Sequence, residues 1–420
     1  MQVSYNLKYR KANFHNKILL QKEGEIILQE DGFRLKGKGA TDQGEFINFS
    51  DIKELYLRTT SLAFTTFAKE KYTLCDAGSL FEDFVIDFFK IRNSFLSRAL
   101  FMRQGEFIAD YDGYFERVNR FGKLIGKGRT SIKLHEDSLV IVPQKLNAFP
   151  VHFHFVSSHE FDELDYNLKL VCDDGSTVHI SQLGDMYENF EEDFNKALGA
   201  MYERIVHDLK DLLYSGNTEA LLKIINLMKG GRAVQLKKAH KIDGEIYQKI
   251  LDTGFLNEAA NGRFDFLKNT AGANFEENLY VGIGKPDKNQ ERFVPWVMWA
   301  DPMKNIVAFT FMPSLNGDTP DLNVPKADMY FFKIIMERGN PGDKVKDKVL
   351  EVEQALLLLH FNTKPLYEDR REIRKTEFKY AIRKLPFLRI LRKSFIGKLE
   401  ARKIESWGKD LEKILAAAKI

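Results

Sequence analysis

The sequence contains little cysteine and little proline, and it has no long hydrophobic run. Of its 420 residues, two are cysteines and eleven are prolines. Cys75 and Cys172 are too few for the disulfide framework of a small secreted domain, so we expect free thiols in a reducing, cytoplasmic compartment. No stretch reaches the about 18 apolar residues at which a helix begins to span a bilayer. The segment Met1–Arg10 also lacks the apolar core of a secretory signal.

Familiar catalytic motifs are missing as well. The sequence has no G-x-S-x-G nucleophile elbow, no phosphate-binding P-loop and no H-E-x-x-H zinc motif. The G-x-G-x-x-G motif of dinucleotide sites is incomplete. Gly37 and Gly39 match its first two glycines, but Asp42 occupies the position of the third. Active sites also form from residues that are distant in sequence, so an enzyme of another kind stays open as an alternative.

Phenylalanine, in contrast, is abundant, and charge is unevenly distributed. The 34 phenylalanines predict cores built around aromatic rings. The net charge is +3, but the segment from Arg370 to Ile420 carries 16 Lys/Arg against 6 Asp/Glu, and the rest is mildly acidic. Such a basic tail can attract a polyanion or an acidic partner surface, and it can equally dock on the acidic body.

An internal repeat with an offset of 106 residues occupies the first half of the chain. Three separate matches at one offset indicate a duplicated unit. The matched pairs are Ile26–Leu35 with Ile132–Ile141, Tyr72–Cys75 with Val178–Ser181, and Phe81–Phe84 with Tyr187–Phe190.

Each copy has the pattern of a small sheet followed by a helix. Seven short runs in the first copy show the alternation or the flanking turn residues that are typical of strands. These runs are about Lys17–Leu20, Glu25–Gln29, Phe33–Lys36, Glu45–Phe49, Lys53–Arg58, Ala63–Phe67 and Lys71–Cys75. Ser79 with Glu82 then predicts a capping box, as Asp185 with Glu188 does in the second copy. The apolar stripe that follows requires burial, and the preceding sheet is the nearest partner.

Seven short antiparallel strands with a closing amphipathic helix resemble the pleckstrin-homology (PH-like) superfold, over about residues 14–101 and 120–213. Two such units in tandem are also loosely similar to the double-PH modules of histone chaperones. The resemblance lies in the order and length of the elements. It implies a binding or scaffold role, because this superfold serves lipid, peptide and scaffold functions alike.

The remaining sequence predicts helices, a third sheet and a basic tail, so we expect an α+β protein. The strands of the third sheet are predicted at Leu279–Gly284, Phe293–Trp299, Ile306–Met312 and Met329–Met336. In the tail, helical spacing runs from Phe378 to Leu399, with a kink or restart at Pro386. The expected divisions are 1–105, PH-like unit 1; 106–215, PH-like unit 2; 216–278, a helical connector; 279–363, an α+β domain; and 364–420, a basic amphipathic helical tail.

A short basic segment of the second copy is a candidate anion-binding site. Lys123, Lys127 and Arg129 form a K-x3-K-x-R pattern between the first two predicted strands. It is similar to the phosphoinositide-binding pattern of many PH domains, in which Lys and Arg donate to phosphate oxygens. The alternative interpretation is a solvated basic turn.

Two histidines of the second copy are candidate metal ligands. His152 and His154 alternate with Val151, Phe153 and Phe155, so in a strand both imidazoles would face outward. A divalent metal site is one interpretation, and an exposed polar sheet face is the other.

The basic face of the tail has three interpretations: an anionic membrane surface, nucleic acid, or simple packing of the helices on the third domain with the cations in solvent. We favour packing. The residues of this face are Arg383, Lys384, Arg389, Arg392, Lys393 and Lys398. For Trp296 and Trp299, core packing is favoured over a role in lining a pocket.

Together these patterns favour a non-enzymatic binding or scaffold protein that requires no cofactor. A protein partner is expected first, with anionic lipid or nucleic acid as alternatives through the tail. The competing hypothesis is an enzyme with its site in the C-terminal α+β domain or at its interface with the PH-like pair. That hypothesis predicts a deep pocket with convergent polar groups and shifted pKa values.

Overall fold

The structure, a computed structural model, divides into two compact units, Met1–Leu198 and Gly199–Ile420. Over the residues that the structure describes, the fold is α+β, with two curled seven-stranded antiparallel sheets and a third sheet of six strands. In the part of the chain that is described, no helix is long and apolar enough to cross a membrane. The described residues are 3–38, 43–103, 105–255, 265–266, 268–269, 275–284, 294–311, 328–334, 341–400 and 406–419.

The first sheet and the helix that follows it form copy 1. Its strands are β1 (Val3–Ala12), β2 (Ile18–Gln29), β3 (Gly32–Gly37), β4 (Glu45–Asn48), β5 (Ile52–Leu57), β6 (Ser61–Thr66) and β7 (Lys71–Cys75). They lie in the order β4-β3-β2-β1-β7-β6-β5, and helix α1 (Phe81–Ala99) follows. The ring of Phe88 in α1 lies 5.5 Å from that of Phe33 and 5.6 Å from that of Phe49, centroid to centroid. The predicted aromatic core and the burial of the helix against its own sheet are both confirmed.

Copy 2 repeats this architecture. Its elements are β8 (Phe107–Val118), β9 (Leu124–His135), β10 (Ser138–Pro143), β11 (Phe149–His152), β12 (Val156–Asp162), β13 (Asn167–Cys172), β14 (Thr177–Ser181) and α2 (Tyr187–Leu213). The strand order β11-β10-β9-β8-β14-β13-β12 is that of copy 1 shifted by seven strands. The two sheets therefore confirm the duplication that the sequence predicted.

The offset of 106 recurs in individual contacts. The hydroxyl of Tyr5 donates to Oδ2 of Asp87 at 2.6 Å, and the hydroxyl of Tyr111 donates to Oδ2 of Asp193 at the same distance. Each bond ties the first strand of a copy to its closing helix. Within β4 and β5 the offset falls to 104, since these strands begin at 45 and 52 while β11 and β12 begin at 149 and 156. This local shift explains why the sequences align poorly there.

Three local predictions for the copies are wrong. The strand β1 was missed, and the predicted strands Lys17–Leu20 and Glu25–Gln29 are parts of the single strand β2. The predicted capping boxes do not form. Instead 3-10 turns, Gly78–Leu80 and Gly184–Met186, lead into the helices without a side-chain capping bond. Backbone bonds within the turns take the place of the expected side-chain caps.

The second unit is organised around the third sheet. Its described elements after α2 are α3 (Thr218–Met228), β15 (Ala233–Gln235), α4 (Leu236–Ile242), α5 (Gly244–Phe255), β16 (Leu279–Gly284), β17 (Val294–Asp301), β18 (Ile306–Phe311), β19 (Met329–Lys333), α6 (Pro341–Leu358), α7 (Lys364–Tyr367), α8 (Arg370–Ile373), α9 (Phe378–Lys384), α10 (Pro386–Ser394), β20 (Phe395–Leu399) and α11 (Trp407–Lys419). The six strands follow one another in chain order from β15 to β20. The predicted helical connector therefore also contributes an edge strand, β15.

Both faces of this sheet are covered. Every residue of β17 and β18 is buried, which requires packed elements on each side. Trp299 lies in one core with Trp407 of α11, and Nε1 of Trp296 donates to the carbonyl oxygen of Gly231 at 3.0 Å. Trp296 and Trp299 are at most 1% exposed, so the favoured prediction of core packing is confirmed.

The tail was predicted correctly in one respect and wrongly in another. Helix α10 begins at Pro386, as the proline predicted. Phe395–Leu399, however, is not helical but forms strand β20, which pairs with β19 at the edge of the sheet. Leu391, Phe395 and Leu399 have helical spacing, but the unpaired edge of β19 offers backbone hydrogen bonds that outweigh this local preference.

Candidate functional site

A buried polar contact joins the two copies. Asn93 of α1 is 0% exposed and reaches the loop between β10 and β11. Its amide nitrogen donates to the carbonyl oxygens of Pro143 and Leu146, both at 3.0 Å, and its carbonyl oxygen accepts the Ala148 N–H at 2.8 Å. Because one side chain satisfies three backbone groups of this loop, it holds the loop in a defined conformation.

Arg92, the neighbour of Asn93, reinforces the same junction. Its Nε donates to Oδ1 of Asn147 at 3.1 Å, and Nη1 donates to the carbonyl oxygen of Phe49 at 3.4 Å. The guanidinium also lies over the Phe49 ring, 5.7 Å from its centroid. Arg92 therefore links the copy 2 loop to the core of copy 1, and its side chain is buried at the junction, with 1% of the residue exposed. The two copies therefore pack against each other and are not independent domains joined by a flexible linker.

A cleft opens beside this junction. It has a volume of about 300 Å³ and takes residues from both copies. Copy 1 contributes Glu82 from the first turn of α1, while copy 2 contributes strand β9 and the β10–β11 loop. The lining residues are Glu82, Lys127, Gly128, Arg129, Pro143, Gln144, Lys145 and Leu146.

Three cations converge on the cleft. In β9 the even-numbered residues from Thr130 onward point into the core, which leaves Lys127 and Arg129 on the exposed outer face. Lys145 is carried by the loop that Asn93 holds, and the Gln144 N–H donates to the carbonyl oxygen of Arg129 at 3.1 Å. The strand and the loop are thus fastened together, so the cations are positioned by the fold.

One carboxylate balances these cations in part. Nζ of Lys145 donates to Oε1 of Glu82 at 2.6 Å, across the boundary between the copies. This hydrogen bond and the charge of Lys145 lower the pKa of the Glu82 carboxyl, so it is ionised at neutral pH. Lys127 also has an acidic neighbour, Glu116, at 3.8 Å. With three cations and one carboxylate in its lining, the cleft favours anions.

The structure brings together two of the three residues predicted for anion binding. Lys127 and Arg129 line the cleft, whereas Lys123 lies in the turn before β9 and is not among the lining residues. Sequence reasoning missed Lys145 and Glu82, because one comes from the next loop and the other from the other copy. The only sequence signal was the polar break between the strands at Gln144 and Lys145.

The predicted outward orientation is wrong for His154. Strand β11 ends at His152, and the 3-10 turn Phe153–Phe155 interrupts the alternation, so His154 is buried and His152 is half-buried. Burial and then the neighbouring His154 lower the pKa of His152 to about 3. Among the residues that the structure describes, no group of three or more His, Cys, Asp and Glu side chains is arranged to hold a metal ion.

The cations of the tail do not form one solvent face. Arg392 donates to the carbonyl oxygens of Pro365 and Glu368, and burial lowers its pKa. Lys398 forms an ion pair with Asp328 at 3.3 Å. Arg389 and Lys393 are exposed, whereas Arg383 and Lys384 are partly buried. The tail is thus part of the second unit, and its cations have divided roles.

Two hairpin tips expose apolar side chains at related places. The tip between β1 and β2 exposes Phe14 (58%), Ile18 and Leu19, and the tip between β8 and β9 exposes Phe121 (79%), Leu124 and Ile125. Cations accompany both aromatic rings: Lys69 lies 5.3 Å from the Phe14 centroid, and Arg120 lies 5.0 Å from that of Phe121. Such projecting apolar and basic tips are typical of contact surfaces.

No protein-family model matches this sequence, and no curated protein is significantly similar to it.

Proposed function

We propose that this chain is a non-enzymatic binding protein of the cytoplasm, in which two PH-like domains form one platform that binds a phosphate-bearing anion in the cleft between them. The PH-like assignment is supported by the shared strand order and by the closing helix of each copy. The buried Asn93 and Arg92 contacts support a platform of fixed geometry.

The observation that carries the proposal is the convergence of Lys127, Arg129 and Lys145 on one cleft. Lys and Arg donors around a concave site recognise phosphate oxygens, and Arg can do so through two parallel bonds. Copy 1 has no equivalent pair, because the offset of 106 places Gln21 and Glu23 at the positions of Lys127 and Arg129. Anion binding is therefore expected in copy 2 alone.

The test is calorimetric titration with inositol 1,4,5-trisphosphate at low ionic strength. Replacing both Lys127 and Arg129 with Gln should weaken binding by at least about tenfold, since two charge-assisted contacts are removed. The copy 1 strand already carries Gln21, so glutamine suits this strand position. The control replaces Lys133 and Lys169 with Gln, which removes the same charge from copy 2 outside the cleft. Equal losses in both variants, or no binding by the wild type, would refute the proposal.

A second candidate function is docking on an anionic membrane surface, which the exposed hairpin tips favour. A projecting tip can bury its apolar side chains in a deformable partner, and nearby cations add attraction to acidic lipids. Phe121→Ser should then reduce co-sedimentation with phosphatidylserine-containing vesicles. Leu164→Ser is the control, because Leu164 is 91% exposed but lies in another loop. The same loss in both variants, or none with Phe121→Ser, would count against docking through the tip.

A further inference from the structure

Glu82 is out of place in a site that attracts anions. It belongs to copy 1, yet it lines the cleft of copy 2 and meets Lys145 there at 2.6 Å. A carboxylate accepts hydrogen bonds but cannot donate them when ionised, and it repels a phosphate group nearby. Its presence therefore restricts which anions fit, beyond the simple requirement for negative charge.

The position of Glu82 beside Lys145 is held by the fold. Lys145 lies in the loop whose backbone is bonded to Asn93 of copy 1 on both sides of the lysine, at Pro143 and at Leu146. Glu82 lies in the same helix as Asn93, so the two ends of the ion pair are fixed by one element. The backbones that carry Glu82 and Lys145 are thus fixed relative to each other, so a bound anion lies near the carboxylate.

A ligand that satisfies this lining needs two kinds of group. It needs a phosphate for Lys127 and Arg129, and it needs a hydrogen-bond donor, such as a hydroxyl, for the carboxylate of Glu82. The volume of about 300 Å³ is at the small end of ligand sites, which suits a molecule of the size of one phosphorylated sugar or polyol. Chains of phosphate groups without hydroxyls supply the first group but not the second.

We infer that Glu82 is a specificity-determining residue through which copy 1 selects the ligand of copy 2: it favours a hydroxyl-bearing phosphomonoester and rejects a polyphosphate. This inference rests on the proposed anion-binding function of the cleft. Rejection follows from repulsion between like charges, and selection follows from the hydrogen bonds that the hydroxyls donate.

The duplication supplies a matched control. Glu188 is the residue of copy 2 that corresponds to Glu82 at the offset of 106. It also lies in the first turn of a closing helix, it is exposed, and it is not among the residues that line the cleft. Glu188→Gln therefore changes the same charge at the same helix position without touching the site.

The experiment measures the affinities of the full chain for glucose 6-phosphate and for tripolyphosphate by calorimetry at low ionic strength. Glu82→Gln should shift the ratio of the two affinities toward tripolyphosphate by about fivefold or more, as expected for removal of one like charge at contact distance in water. Glu188→Gln should leave the ratio close to that of the wild type. The Glu82–Lys145 pair is exposed, so its loss should not unfold the protein, and circular dichroism checks this.

The outcomes separate the two proposals. If neither ligand binds to any of the proteins, the proposed anion-binding function fails. If both ligands bind and Glu82→Gln leaves the ratio unchanged, the cleft binds anions but Glu82 does not select them. An equal shift in Glu82→Gln and Glu188→Gln would show a general effect of net charge, and it too would overturn the inference.

Discussion

Replacing Asn93 with alanine should separate the two copies of the platform. The substitution removes the side chain that donates to the carbonyl oxygens of Pro143 and Leu146 and accepts the N–H of Ala148. These backbone groups lie at a junction where Asn93 is fully buried, so the truncated site leaves them without their partner. Each such group costs about 1–3 kcal/mol, and partial hydration of the loosened loop limits the total to about 3–5 kcal/mol.

Urea unfolding, monitored by hydrogen exchange of backbone amides, is the suitable assay. The tryptophans, Trp296, Trp299 and Trp407, all lie in the second unit, so their fluorescence does not report on the platform. Exchange of the Ala148 amide does report on it. With an m-value of about 2 kcal/mol/M, the midpoint for the first unit should fall by roughly 2 M, while the tryptophan transition stays in place.

Asn189→Ala is the matched control for this prediction. Asn189 is an exposed residue of α2, and its side-chain amide has one long contact, 4.0 Å to Sδ of Met186. A surface change of this kind should alter stability by no more than about 0.5 kcal/mol. Unchanged protection of Ala148 in Asn93→Ala, or equal effects of the two substitutions, would refute the assignment of Asn93 as the clamp between the copies.

Three further predictions concern individual groups. Burial and then the hydrogen bond to an Asp raise the pKa of Tyr5 and of Tyr111 above the usual 10.0. The free energy of unfolding should therefore fall as pH rises above 10. Tyr5→Phe or Tyr111→Phe should weaken that fall, as measured by urea unfolding at a series of pH values. Burial lowers the pKa of His152 from 6.5 to about 3, so the free energy of unfolding should decrease as pH falls below 6.5. His152→Gln should reduce this loss in acid titrations monitored by circular dichroism. Gly397→Ala should destabilise the second unit by about 1–3 kcal/mol, because its Cβ would lie 2.8 Å from Cγ1 of Ile414, and tryptophan fluorescence during urea unfolding measures this. An unchanged midpoint in Gly397→Ala, or unchanged pH profiles in the other variants, would contradict these predictions.

The two copies of the duplicated unit contribute different residues to the candidate site. The two copies share a strand order, but their functional residues differ, since Gln21 and Glu23 of copy 1 correspond to Lys127 and Arg129 of copy 2. Copy 1 instead provides Asn93, which holds the loop of copy 2. In this arrangement one copy supports the site and the other supplies the cations.

Features that depend on neighbours in the chain can be read from the sequence. The repeat at 106, the stripe of α1 with Phe84 and Phe88, and the restart of a helix at Pro386 are all visible in local spacing. Strand alternation and helical periodicity act over a few residues, so their signal survives without a tertiary structure. The α+β class and most of the strands of copy 1 follow from such patterns.

Other features appear only in the folded protein, because they depend on partners that are distant in sequence. Phe395–Leu399 has helical spacing and becomes a strand only because the edge of β19 is available. His154 is buried because a 3-10 turn interrupts the strand. The cleft needs Glu82 and Lys145, which are separated by 63 residues and belong to different copies. No local sequence pattern predicts that Glu82 and Lys145 lie close together, because their proximity results from the packing of the two copies around the buried Asn93.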